Sequence, residues 1–207
     1  MKSYSLKQRL PTLEEVRAEQ LRRRRDEALR YYQRPKEHQL QMAFHASQKQ
    51  RRFFFGGNRT GKTTAGAAED ALYALGKSAE PYIQGWPDRL KELWHSKYAG
   101  IEANAGWVVS TSFETQREVI QPALLNWIPK REIRDVKNRA KDLIDYLVLK
   151  NGHRVVFKSA EQGRVAFQGT SLRWVHIDEE IPFDIISEIE MRLLDQKGAL
   201  WGTMTPF

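Results

Sequence analysis

The chain has 207 residues, is 41% hydrophobic, and carries 34 Lys and Arg against 26 Asp and Glu, a formal charge of +8. That content supports one well-cored domain or a domain with a smaller appendage, and the charge favours polyanionic partners. The absence of cysteine excludes disulfides and thiolate metal sites. No apolar run reaches the roughly 18 to 20 residues of a membrane-spanning helix, and the polar start MKSYSLKQRL has no apolar signal stretch, so a cytoplasmic location is expected.

The first expected element is a helix. Thr12 and Glu15 stand at capping-box spacing and open it through LEEVRAEQLRRRRDEALRYYQ, to end before Pro35. Arg22 to Arg25 are the densest charge in the chain. Successive helical positions point in different directions, so a solvated surface and a DNA-binding stripe both stay open. This basic helical segment, residues 1–34, is set apart from the main domain expected over 35–207. A second helical segment, KEHQLQMAFHAS, leads to an apolar strand at Phe53 to Phe55.

The strand runs directly into a glycine-rich turn in FFFGGNRTGKTTAG, residues 53–66. Gly56, Gly57, Asn58, Arg59, Thr60, Gly61, Lys62 and Thr63 fit G-x-x-x-x-G-K-[ST], with Thr64 and an alanine-rich helix following. Backbone N–H groups converge in such a turn, and the helix start adds the positive end of its dipole, which together cradle phosphate oxygens. Lys62 would reach the β- and γ-phosphates of ATP, and the Thr63 hydroxyl would take a place on Mg²⁺. These residues are the expected nucleotide site.

Beyond the helix, which should run to Gly76, Lys77 to Gly100 reads as irregular with a short helix near Pro87 to His95. AGWVVSTS is an expected buried strand, with Ser112 capping the helix FETQREVIQPALLNWI and Pro122 bending it or resetting its start. DLIDYLVLKNGHRVVFKS predicts two strands around the hairpin signal Asn151-Gly152. LRWVHIDEE predicts a buried strand, FDIISEIEMRLL an amphipathic helix and ALWGTMTP a final strand. Strands alternating with helices imply a mostly parallel, doubly wound sheet, whose ligands sit beyond the carboxyl ends of the strands.

The acidic strand end is the second constellation. It delivers Asp178, able to hold Mg²⁺, and Glu179, able to orient and deprotonate the water attacking a γ-phosphate. An acidic pair can also simply cap the next helix. Paired with a full phosphate loop, it points to hydrolysis. His176 reads as a strand residue, and five scattered histidines suggest no metal site.

HQLQMAFHAS, FFFGGNRTGKT, GWVVSTSFETQREVIQ, GRVAFQGTSLRWVHIDEE and LWGTMTP together resemble the ATPase domain of the large terminase subunits of tailed bacteriophages, over about residues 35–207. The resemblance implies a P-loop NTPase of the additional-strand, catalytic-glutamate type, with a mostly parallel sheet flanked by helices, that packages double-stranded DNA into procapsids in the host cell cytoplasm. It also implies a homo-oligomeric ring, a portal and procapsid, and a small terminase subunit as partners. Gln41 matches the glutamine that reads adenine, with Gln39 the competing choice. Thr203 to Pro206 match the strand-end motif coupling γ-phosphate loss to movement, with Thr205 as sensing hydroxyl. Arg59 is a terminase-like arginine within the phosphate loop and a candidate source of catalytic charge. Arg164 is the candidate arginine entering a neighbour's site, and Arg139 a weaker rival. Large terminases usually carry a nuclease domain after the ATPase. The chain ends at Phe207, so either the ATPase domain is excised or the nuclease lies on another chain, and no nuclease residues are expected. Two other classes stay open: a P-loop helicase or DNA-remodelling ATPase, and a nucleotide-gated DNA-binding assembly module with little turnover.

Overall fold

The computed structural model describes residues 12–26, 28–32, 39–102 and 104–206. Pro35 and the side chains of Arg22 to Arg25 lie outside the described part. In chain order the elements are α1 (Leu13–Asp26), α2 (Gln39–Ala46), β1 (Arg51–Phe55), α3 (Lys62–Leu75), α4 (Glu80–Ile83), α5 (Asp88–Lys97) and β2 (Ala105–Ser110). They continue as α6 (Phe113–Thr115), α7 (Gln121–Trp127), β3 (Ile133–Ala140), β4 (Leu143–Leu149), β5 (Arg154–Ser159), β6 (Trp174–Asp178), α8 (Phe183–Leu194) and β7 (Ala199–Met204). Among the described residues no helix is long and apolar enough to cross a membrane.

The strands form one sheet in the order β1-β7-β6-β2-β5-β4-β3. The first five are parallel, and β4 and β3 follow antiparallel. β7 is inserted between the phosphate-loop strand β1 and the acidic strand β6, which is the additional strand of the fold type. Helices cover both faces, so β6 and β7 are buried at every position. Alternate residues feed opposite layers. Trp174 and Trp201 pack with Leu72 and Leu124 on one face, while Val175, Ile177 and Leu200 pack with Ile185, Ile189 and Leu193 of α8 on the other.

Local chemistry explains the element ends. Glu15 N donates to Thr12 Oγ1 (3.2 Å) and Thr12 N to Glu15 Oε2 (2.7 Å), the expected capping box. Thr115 N donates to Ser112 Oγ (3.0 Å), so Ser112 caps α6. Between α6 and α7 the helix widens to a π turn in which Gln121 N donates to Gln116 O, and α7 restarts with Pro122 in its first turn. Asn151 donates to Ala74 O (2.9 Å) and Leu75 O (3.0 Å), tying the β4–β5 hairpin to the end of α3.

Three stretches differ from expectation. The first helix ends at Asp26, and Ala28–Tyr31 follow as a 3₁₀ turn. Residues 77–100 are more regular than their prolines suggest, because Pro81 sits in the first turn of α4 and Pro87 at the N-cap of α5, where a missing N–H leaves no helical bond unmade. β3 is an additional edge strand beside β4. Its sequence IRDVKNRA is exposed at seven of eight positions, so it carries no apolar alternation to announce it.

A buried ionic cluster fixes the helices around β1. Glu69 of α3 is fully buried and takes Arg52 Nη1 at 2.6 Å, Lys97 Nζ at 2.8 Å, His45 Nδ1 at 2.6 Å and the Tyr98 hydroxyl at 2.6 Å. The Arg52 guanidinium carbon lies over the rings of Phe44 (5.1 Å) and Trp201 (5.3 Å). Burial opposes ionisation of Glu69, yet Arg52, Lys97 and His45 hold its carboxyl well below the usual range, while burial pulls the Lys97 ammonium down to about 8. Because the folded carboxyl is depressed, its stabilisation is complete above the ordinary value of 4.5 and fades as pH falls below it. Glu69→Gln should therefore destabilise the fold by about 3–5 kcal/mol at neutral pH, since two cations remain buried without their counter-ion. Urea unfolding checks this, and a loss below about 1 kcal/mol would show that the cluster relaxes without it.

Candidate nucleotide site

The loop after β1 is compact. Gly56 N donates to Met204 O (3.1 Å), extending the β1–β7 ladder one residue before the chain turns, and Thr60 N then reaches back to Gly57 O (3.4 Å). Gly57 O also takes the Thr60 hydroxyl (2.8 Å) and Lys62 Nζ (3.1 Å). Arg59 adopts a left-handed φ of 65°, which costs a non-glycine residue about 1–3 kcal/mol. Gly57, Asn58, Arg59 and Thr60 are exposed at the tip. Gly61 N-caps α3 with no side-chain cap bond. The first-turn N–H groups, from Lys62 through Thr64, have no intrahelical acceptor, the arrangement that binds anions.

α2 braces this loop from behind. Gln41 is buried and its Nε2 donates to Thr60 O and Gly61 O, both at 3.2 Å. A Cβ on Gly61 would sit 2.3 Å from that nitrogen, and φ is 79°, so glycine is required there twice over. Among the described residues Gln41 Oε1 is a buried acceptor with no partner, whereas Gln39 is exposed. The orphan oxygen suits a donor such as the exocyclic amine of adenine.

The carboxyl ends of β6 and β7 complete the same sheet edge. Asp178 pairs in register with Thr203 and Ser110, and its Oδ1 takes the Thr203 hydroxyl at 2.6 Å and lies 3.5 Å from Thr63 Oγ1. Burial pushes the Asp178 carboxyl up, against His176 and Thr203, which favour its charged form. With Asp178 ionised, the Thr203 hydrogen is spent on it, so His176 Nε2, 2.8 Å from Thr203 Oγ1, is the donor to that hydroxyl. His176 Nδ1 lies 2.8 Å from Asp70 Oδ2, and Trp201 Nε1 donates to Asp70 Oδ1 at 3.1 Å. A buried polar chain thus links Asp70 on α3 to Asp178. Gly66 makes room for it, since a Cβ there would fall 2.4 Å from His176 Cε1.

Glu179 turns off the strand with a left-handed φ of 63°, its N donating to Thr203 O (2.9 Å). Its Oε1 takes the Thr205 hydroxyl at 2.7 Å and its Oε2 takes Thr205 N at 2.8 Å. Thr205 therefore touches the acidic strand end directly. Thr63 and Asp178 offer only oxygen donors, the set a hard cation such as Mg²⁺ takes, with phosphate oxygens and water completing its shell. Among the described residues no larger cluster of metal-ligating side chains exists.

Arg164 pairs with α8 rather than with the phosphate loop or the acidic strand end. It opens a 3₁₀ turn after Gly163, is half-exposed, and its Nε donates to Glu188 Oε2 at 3.2 Å while Arg192 holds Glu188 Oε1 at 2.7 Å. Arg139 on β3 pairs with Asp145. His176 and Asp70 were not among the expected site residues, and Thr203 was expected only as the first residue of the strand-end motif, not as the partner of Asp178. The signal available for Asp70 was the pair Glu69-Asp70 inside an otherwise alanine- and leucine-rich helix, where two carboxylates must find buried partners.

Sheet order, phosphate loop and acidic strand define a P-loop NTPase domain of the additional-strand type. More narrowly, the chain belongs to the large terminase subunit family, since residues 53–194 match the model of the N-terminal part of the T4-like-virus-type terminase large subunit. The terminase large subunit of Salmonella phage P22 is 29% identical, over 66% of this chain and 32% of the phage protein. Among solved structures, the large terminase of a thermophilic bacteriophage is similar with a TM-score of 0.57 at 17% identity, covering 81% of this chain and 38% of that one. A structure of the same thermophilic phage terminase in complex with ADP gives 0.54 at 18%, covering 80% and 38%. The chain therefore spans about a third of the Salmonella phage protein and under two-fifths of the thermophilic phage chains.

Proposed function

We propose that this chain is the ATP-hydrolysing motor domain of a DNA-packaging terminase, turning Mg-ATP hydrolysis into translocation of double-stranded DNA into a procapsid in the host cytoplasm. The carrying observation is Glu179, whose carboxylate stands at the same sheet edge as the phosphate loop and is held by Thr205 at the end of β7. The loop N–H groups and Lys62 hold the phosphates, and Arg59 adds charge at the rim. Glu179 orients the attacking water and accepts its proton. Mg²⁺, held by Thr63 and Asp178, would neutralise charge on the β- and γ-phosphate oxygens. Gln41 Oε1 reads the adenine amine. Thr205 senses loss of the γ-phosphate through its two bonds to Glu179, because a shift of that carboxylate pulls directly on β7. Family membership and the ADP complex of the thermophilic phage relative support the nucleotide assignment.

In this reading the chain works as a ring with a portal and a small terminase subunit, residues 35–207 form the motor, and Arg164 leaves Glu188 to reach a neighbour's γ-phosphate. Phosphate release measured with and without procapsids and portal tests the motor. Stimulation is expected, and bound nucleotide without turnover in either condition would favour the assembly-module alternative. In the assembled ring, an Arg164→Ala chain mixed with a Glu179→Gln chain should regain part of the activity each lacks. Absence of recovery would place the arginine's role within its own chain, and full activity of Arg164→Ala alone would remove it from the site.

A further inference from the structure

The end of the sheet opposite the phosphate loop carries a cleft of about 360 Å³ where β1 and β7 begin, closed on one side by the last turn of α5. Five basic residues line it, Lys49, His95, Lys97, Arg173 and Lys197, and no carboxylate does. Lys97 is committed to Glu69 and to His45 O (2.6 Å). Among the described residues the other four make no ion pair, and the Arg173 guanidinium donates only to Gln196 O at 3.1 Å.

The cations are presented on fixed backbone. Lys197 is held at a left-handed φ of 47°, its N donating to Leu194 O (3.1 Å) and its carbonyl accepting from Gln50 Nε2 (3.1 Å). Gln48 and Ser96 add neutral hydrogen-bonding groups; of the two aromatic rings in the lining, Tyr73 is buried and the His95 imidazole is exposed. A free nucleotide or an unpaired base would have only the His95 imidazole to stack on, since the lining holds no Trp or Phe and its Tyr is buried. Separated point charges with neutral donors suit a row of backbone phosphates, read without regard to sequence.

We infer that this cleft is the DNA-contacting face of the domain, taking the phosphodiester backbone of a duplex at the pole opposite the nucleotide. A duplex there leaves the phosphate loop free, so both ligands are held at once. The inference names the DNA face within the motor reading and so rests on it for the choice of duplex DNA. The test reads equilibrium binding rather than hydrolysis, so the two fail separately.

Anisotropy of a labelled random-sequence duplex, titrated with the full chain across a series of KCl concentrations, gives the number of phosphates neutralised. Replacing Lys49, Arg173 and Lys197 together with glutamine should weaken binding and make the slope of log affinity against log salt shallower by about 2.7, at about 0.9 per phosphate. The single changes Lys49→Gln and Lys197→Gln, at exposed positions, should each remove about 0.9 and guard against a folding defect in the triple variant. Saturating ADP should leave duplex affinity unchanged. The inference is overturned by an unchanged slope in these variants, or by loss of slope only when Arg22 to Arg25 are replaced with glutamine. It is also overturned if an acidic peptide or inorganic polyphosphate of equal charge binds the cleft as tightly as the duplex.

Discussion

Glu179→Gln is expected to lower phosphate release from Mg-ATP by about 10² to 10⁴-fold while nucleotide stays bound, because the amide keeps the carboxylate's shape but takes no proton. The surroundings tolerate the change. Thr205 N donates to one oxygen and the Thr205 hydroxyl to the other, so in the variant the amide oxygen keeps the N–H bond and the hydroxyl rotates to accept from the new NH₂. The left-handed turn at φ 63° belongs to the backbone and persists. Calorimetry should then find wild-type affinity beside a lost rate. Asp178→Asn should act differently, weakening the Mg²⁺ dependence of binding, since Asp178 also holds the chain of hydroxyl and imidazole from Thr203 to Asp70. Hydrolysis by Glu179→Gln at the wild-type rate would mean that another group orients the water.

Much of this architecture is legible in residues whose local and global signals agree. Phe53 to Phe55, the glycines and the alanine-rich helix say strand, loop, helix in one breath, and the sheet forms them in that order. Ser112 and Asn151-Gly152 act through short-range hydrogen bonds that sequence spacing alone dictates. β3 was not legible because an exposed edge strand is chosen by its neighbour's free backbone rather than by its own apolar pattern. The pairings of Glu69 and Asp70 were not legible for a related reason. Their partners, Arg52, Lys97 and His176, lie on other elements, and only the register of β6 and β7 brings Thr203 against Asp178. Gln41 shows the same limit, since the family resemblance could offer its amide to a base but not reveal that its nitrogen is committed to the carbonyls of Thr60 and Gly61.

The expected result for Lys62→Ala is loss of tight ATP binding, by at least about 10²-fold. Lys62 is buried and its Nζ rests on Gly57 O at 3.1 Å, so without nucleotide the ammonium is held by one neutral acceptor. Phosphate oxygens entering the loop would give it charged partners in a partly desolvated cradle, where a charge-assisted hydrogen bond contributes about 1.5–3 kcal/mol. Alanine removes that attraction and leaves the loop N–H groups in place, so weak binding remains. The fold should be little affected, because the first turn of α3 keeps its bond from Ala65 N to Gly61 O and Gln41 still braces Thr60 and Gly61. Thermal unfolding separates the two effects. Wild-type chain at about 100 times its dissociation constant of ATP gains about 2.7 kcal/mol, a rise of several degrees, which the variant should lack while its nucleotide-free midpoint stays near that of the wild type. An unchanged nucleotide-induced shift, with unchanged affinity by calorimetry, would remove Lys62 from the phosphate site and with it the assignment of the loop.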